Sequence, residues 1–160
     1  MRIIQIVEMM NIITNDFLLE GKRREVITIP NSSVNPVIFR ICPMFEETID
    51  RQPVVRQRIV NRLKDFMDYK TQDHRAKFGT NDTPLASGGH YVGFSHANIT
   101  QDFRIFYTKE SQNPVIIKLY AVLTHVEAGI ATPPNIKRQI QMSARMKSQT
   151  NWTNLTPADL

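Results

Sequence analysis

Between His90 and Ala128 the chain reads HYVGFSHANITQDFRIFYTKESQNPVIIKLYAVLTHVEA, and that stretch leaves room for little except three strands in series. Tyr91–Ile99 alternates loosely between apolar and polar residues, Phe103–Tyr107 is short and aromatic, and Val115–Leu123 is a longer run rich in β-branched residues. Such runs suit a pleated, half-buried surface. Thr100-Gln101 and the segment 109–114, with Pro114, supply the turn chemistry between them. The spacing therefore predicts an antiparallel meander. It carries His96, Asn98, Asp102, Arg104 and His125 on a stiff support, either facing water or forming a site.

The flanking segments predict what covers that sheet. Val37–Cys42 reads as a strand stopped by Pro43, and Met44–Asp50 as a short helix. Val55, Ile59, Leu63 and Phe66 then fall on one stripe, which predicts an amphipathic helix over 53–69 with Pro53 in its first turn. Its arginines, Arg56, Arg58 and Arg62, read more simply as a solvated face than as a binding surface. Residues 71–89 form a long polar loop, a length often tied to function. After Pro133-Pro134, Asn135 is placed to cap a helix running to Lys147. Trp152 and Leu155 stand as isolated apolar anchors beyond it. Residues 1–20 fit a helix, although Ile12-Ile13-Thr14 tolerates a strand, and Glu25–Ile29 alternates like a strand. We expect three parts: an N-terminal extension over 1–35, a core domain over 36–130 and a basic helical tail over 131–160. The fold class expected is α+β.

Charge narrows the partners. The net charge is +5, and residues 131–160 hold four basic residues against one acidic one, so most of the excess lies there. That favours an anionic partner such as RNA. No apolar run is long enough to span a membrane, and the apolar start carries Glu8 and Asp16 with no cleavage site after it. A cytoplasmic protein without a membrane partner is the expectation. The single cysteine, Cys42, excludes an internal disulfide and reads as a buried small hydrophobe.

The four histidines, His74, His90, His96 and His125, have no ligand spacing, so no metal or other cofactor is expected. A phosphate-cradling glycine loop and a serine nucleophile elbow are both lacking. RNA cleavage by transesterification fits the residue types better. The 2′-hydroxyl must lose a proton, the phosphorane needs positive charge, and the 5′-oxygen needs a proton. His96, Asp102, Arg104, Tyr107 and His125 offer those groups within one meander. The same residues also describe an ordinary polar face, and on residue types alone that plainer reading stands ahead.

Three pieces of sequence carry a family resemblance. Asp82-Thr83-Pro84-Leu85 resembles the Asp-His-Pro-Leu of the YafQ-like mRNA interferases, a branch of the RelE/ParE toxin superfamily. Gly93–Tyr107, GFSHANITQDFRIFY, is similar to that branch's Gly-aromatic…His-hydrophobic-x-x-Asp-aromatic…Tyr segment. Leu123-Thr124-His125 resembles its Gly-Thr-His ending. The resemblance spans about residues 37–130 and implies a RelE-like domain, an antiparallel meander packed against one or two preceding helices.

It also implies a toxin that cuts mRNA on the ribosome and leaves a 2′,3′-cyclic phosphate, with mRNA and the ribosome as partners and an antitoxin or assembly partner besides. Asp102 falls on the family's catalytic aspartate and His125 on its C-terminal histidine, and Arg104 fits a related Asp-aromatic-Arg pattern. Those roles would make Arg104 the phosphorane's cation, His125 the acid, and His96 or Asp102 the base. Tyr107 would support packing or stacking, and Tyr107 and His90 are the candidate substrate contacts. Two positions depart: Thr83 and Asn98 stand where the family has histidines. His96, two residues before Asn98, shares its strand face. A non-catalytic binding or structural assembly module on the same scaffold is the alternative, which the missing histidines and the two extensions favour.

Overall fold

A computed structural model describes residues 36–85 and 89–160. The helix and strand expected before residue 36 lie outside the described residues.

The chain opens with β1 (Val37–Ile41), stopped by Pro43 at the first turn of α1 (Pro43–Asp50). Then comes α2 (Arg56–Gln72), whose Ile59, Leu63 and Phe66 are fully buried. This helix starts later than its stripe suggested, because residues 53–55 form a turn and the first helical bond runs from Ile59 N–H to the Val55 carbonyl. It also runs past Tyr69. Lys70 continues the buried stripe and finds a carboxylate, so a lysine is tolerated on the core face.

The polar loop after α2 holds a two-residue strand, β2 (Thr83–Pro84). The meander follows as β3 (Ser95–Asn98), β4 (Phe103–Lys109) and β5 (Val115–Thr124). Then α3 (Ile136–Lys147) is capped by the Asn135 side chain, which accepts from Arg138 N–H, and β6 (Thr153–Leu155) follows as the last strand.

These strands form one mixed sheet in the order β2-β3-β4-β5-β1-β6. The meander β3-β4-β5 is antiparallel, β1 lies parallel to β5, and β6 pairs antiparallel with β1. The expected α+β class and the meander packed beneath two preceding helices are both present. One face of the sheet carries Ile105, Tyr107 and Val122 towards α1 and α2: the Tyr107 ring meets Phe66 edge-on, and Val122 N–H donates to Thr48 Oγ1 of α1. The opposite face carries His96, Asn98, Arg104 and Phe106, since residues paired across strands share a side and alternate along them. That face is not covered by α1 or α2.

The segment after α3 is not a loose end. Trp152 meets the Tyr120 ring, Arg40 donates to Asn154, and Leu155 is buried against the core. Cys42 is buried, and burial pushes its thiol up, in keeping with a small core residue. No helix among the described residues is long and apolar enough to cross a membrane.

Candidate functional site

On the face opposite α1 and α2 stands Arg104. Its cross-strand partners are Asn98 on β3 and Leu123 on β5. Arg104 makes no ion pair among the described residues, although its guanidinium is desolvated enough to lower its pKa. Nη1 donates to His96 Nε2 at 3.1 Å, which is a contact to a ring and not to a carboxylate. Its Nε is buried and has no partner, and so is Asn98 Oδ1 on the adjacent strand. Buried polar groups of that kind are uncommon and cost free energy while unmet. The guanidinium is therefore half-buried without a carboxylate to neutralise it among the described residues.

His96 stands beside it, 9% exposed, with Nδ1 3.1 Å from the Asn81 carbonyl. Thr83 on β2 is the cross-strand partner of His96. The two positions at which the resemblance expected histidines, 83 and 98, are thus neighbours of His96 and Arg104 on the same face.

His125 approaches from the turn that ends β5. That turn is well tied: Thr124 and Glu127 exchange backbone-to-side-chain hydrogen bonds, and the His125 carbonyl accepts from Ile130 and Ala131. No hydrogen bond to the His125 ring occurs among the described residues. Burial lowers its pKa first and the Arg104 cation second, while Asp102 works the other way. Arg104, His96 and Asp102 are all close enough to act on that ring. Asp102 itself is exposed on the β3–β4 turn, where its N–H donates to Thr100 Oγ1.

A cavity of about 170 Å³ opens next to His96, lined by His90, Tyr91, Phe106, Ile130 and Gln139 among others. Tyr91 fixes one wall by donating its hydroxyl to the Ala128 carbonyl at 2.6 Å, and its pKa is pushed up to about 12 by burial. His90 lies exposed at the rim. His125, Asp102 and Arg104 are not among its walls, so this cavity gathers His96 and His90 without them.

The structure brings His96, Arg104 and His125 together and leaves Tyr107 out. Tyr107 is 6% exposed on the helix-covered face, with its hydroxyl 2.5 Å from Asp82 Oδ1. Alternation along β4 puts residues 104 and 107 on opposite faces, so a substrate contact by Tyr107 is withdrawn. Asp102 lies on the turn between β3, which stops at Asn98, and β4, which begins at Phe103. The sheet's register shift falls between Phe106 and Tyr107 on β4.

Sequence reasoning missed Lys70 and Asn81, and passed over Asp82 as a motif letter only. Asp82 is buried and accepts from Lys70 Nζ at 2.5 Å, from Phe78 N–H at 2.7 Å and from Tyr107. The signal for Lys70 was present: it follows Phe66 by four residues, on the stripe. No group of residues suited to hold a metal ion occurs among the described residues.

No family model matches the sequence, and no curated protein does. Among the solved structures to which the chain is similar are toxins of toxin–antitoxin systems. One is a YoeB/ParE toxin from Agrobacterium tumefaciens, with 15% identity and a TM-score of 0.43 over 56% of this chain and 98% of that one. Another is YafQ in the DinJ–YafQ complex of E. coli, with 17% identity and a TM-score of 0.42 over 57% and 94%. A third belongs to the heterotetrameric YoeB–YefM complex of Staphylococcus aureus, with 15% identity and a TM-score of 0.40 over 57% and 97%.

Proposed function

We propose that the chain is a ribosome-dependent mRNA endoribonuclease of the toxin kind its sequence resembles. The observation that carries this reading is Arg104: a partly desolvated guanidinium with no carboxylate partner among the described residues and with its Nε unmet, on the sheet face opposite α1 and α2. A phosphate is the anion that meets those needs, and charge-assisted bonds from arginine are the strong kind. In the reaction the 2′-oxygen attacks phosphorus, the P–O5′ bond breaks, and a 2′,3′-cyclic phosphate forms. Arg104 stabilises the charge on the phosphorane, and His125 passes a proton to the leaving 5′-oxygen. Asp102, exposed on its turn, is the group available to take the proton from the 2′-hydroxyl. The protein acts in the cytoplasm, and a separate antitoxin chain restrains it.

One observation favours the second reading, a binding or assembly module that does not cut. His96 has both ring nitrogens engaged and Asp102 stands outside the cavity, so the described site holds no buried base in waiting. The experiment that separates the two is cleavage of ribosome-bound mRNA read by primer extension, with wild type compared against His125→Ala and Arg104→Ala. We expect His125→Ala to slow cleavage by roughly two to four orders of magnitude, the usual share of general acid catalysis. Wild type cutting no more than the variants would leave the binding module.

A further inference from the structure

We propose that His96 is a positioning residue: its ring is held neutral with the proton on Nδ1, between the Asn81 carbonyl and the Arg104 guanidinium, and it fixes where that guanidinium stands. The consequence for catalysis rests on the reading of Arg104 as the phosphate-binding group, whereas the state of the ring does not.

The state follows from what each neighbour is able to do. The Asn81 carbonyl only accepts, so Nδ1, 3.1 Å away, carries a hydrogen. The Arg104 Nη1 only donates, so Nε2, also 3.1 Å away, offers a lone pair. Both conditions are met by one tautomer alone. A second proton on Nε2 would set donor against donor and cation against cation. His96 therefore does not take a proton from substrate while Arg104 is in place.

The other end of the chain of contacts is equally fixed. Asn81 precedes Asp82, whose carboxylate is bonded to the Lys70 ammonium, the Phe78 N–H and the Tyr107 hydroxyl. Lys70 also donates to the Ala76 carbonyl at 2.6 Å, and Lys70 and Asp82 are 3% and 4% exposed. A buried, fully bonded ion pair of this kind holds geometry more surely than it adds stability. The loop is pinned to α2 and β4 at Asp82, and Thr83 pairs directly with His96 on β3. Loop, ring and guanidinium form one series, in which each member orients the next.

The test begins with the tautomer in the intact wild-type chain, by long-range proton–nitrogen spectra of the imidazoles near neutral pH. The expected pattern is a protonated Nδ1 and a bare Nε2 for His96. A protonated Nε2, or a fully charged ring, overturns the proposal. In Arg104→Ala the ring loses the donor that fixes its lone pair on Nε2, so its two nitrogen resonances should move towards those of a mixture of tautomers. Unmoved resonances count against the series. In the cleavage assay His96→Asn should lower kcat and keep the acidic limb of the pH profile. Loss of that limb would make His96 the base and sink the idea. If wild type cuts no RNA, the nuclease reading falls, and the spectra still decide the state of His96.

Discussion

At the scale of the residue, His125 and Arg104 set each other's electrostatics. His125 is lowered below the ordinary histidine value chiefly by burial and then by Arg104. Near neutral pH its ring is accordingly neutral for most of the time. A step that uses it as an acid weakens as pH rises through the lowered pKa, so the descending limb of the rate profile lies below about 6.5. Stability runs the other way. The unfolded chain binds the proton more readily, so this residue's contribution is full above the unfolded value and is lost as pH falls through the lowered one. We expect Arg104→Gln to raise the His125 midpoint while leaving it below about 6.5, since burial is the larger cause. Proton NMR titration reads both, and a midpoint that stays put would show that the two side chains are not coupled. Much of this residue-level picture was legible. His96, Arg104 and His125 were singled out by type and by place on the meander. Tyr107 was misplaced although strand alternation alone assigns it to the other face.

At the scale of the element, local pattern was a good guide and long-range pairing was not. The Ile59, Leu63 and Phe66 stripe and the Asn135 cap announced α2 and α3 by spacing and chemistry. Nothing local says that β1 runs parallel to β5 or that β6 adds to the far edge, because sheet order is set by pairings distant in sequence. The docking of α3 was equally hidden, and it depends on one glycine. Gly129 has φ +74, its carbonyl accepts from Asn135 N–H and Gln139 Nε2, and a Cβ there would lie 2.6 Å from the Asn135 carbonyl oxygen. The left-handed backbone and the backbone clash act together, and neither gives way cheaply. Gly129→Ala should cost more than about 1 kcal/mol in a denaturation curve. Because Gln139 lines the cavity beside His96, the variant should also disturb His96 and Tyr91 resonances. A neutral effect on the denaturation curve would mean that α3 is seated by other interactions.

At the scale of the whole molecule, the distribution of charge decides how RNA would be held. Three of the five net positive charges lie after residue 130, as the sequence indicated, but they are not all at large. Arg145 is paired with Glu47 of α1, and that pairing keeps the Glu47 carboxyl below its usual range. Lys137 and Lys147 are exposed and make no ion pair among the described residues. Removing α3 outright would be an unsound probe of this charge, because Met146 and Ser143 are buried and the deletion would uncover core. Neutral substitution avoids that. If Lys137 and Lys147 each meet a phosphate, Lys137→Gln with Lys147→Gln should flatten the salt dependence of binding to single-stranded RNA by about 1.4 in log–log slope, at roughly 0.7 for each phosphate no longer neutralised. Arg145→Gln should leave the slope where it was, since its charge is already engaged by Glu47. Binding measured across a salt series tests the two variants side by side. An unchanged slope in the double variant would assign phosphate binding to the sheet face around Arg104 instead, and an equal change in Arg145→Gln would show that the Glu47 pair opens when RNA arrives.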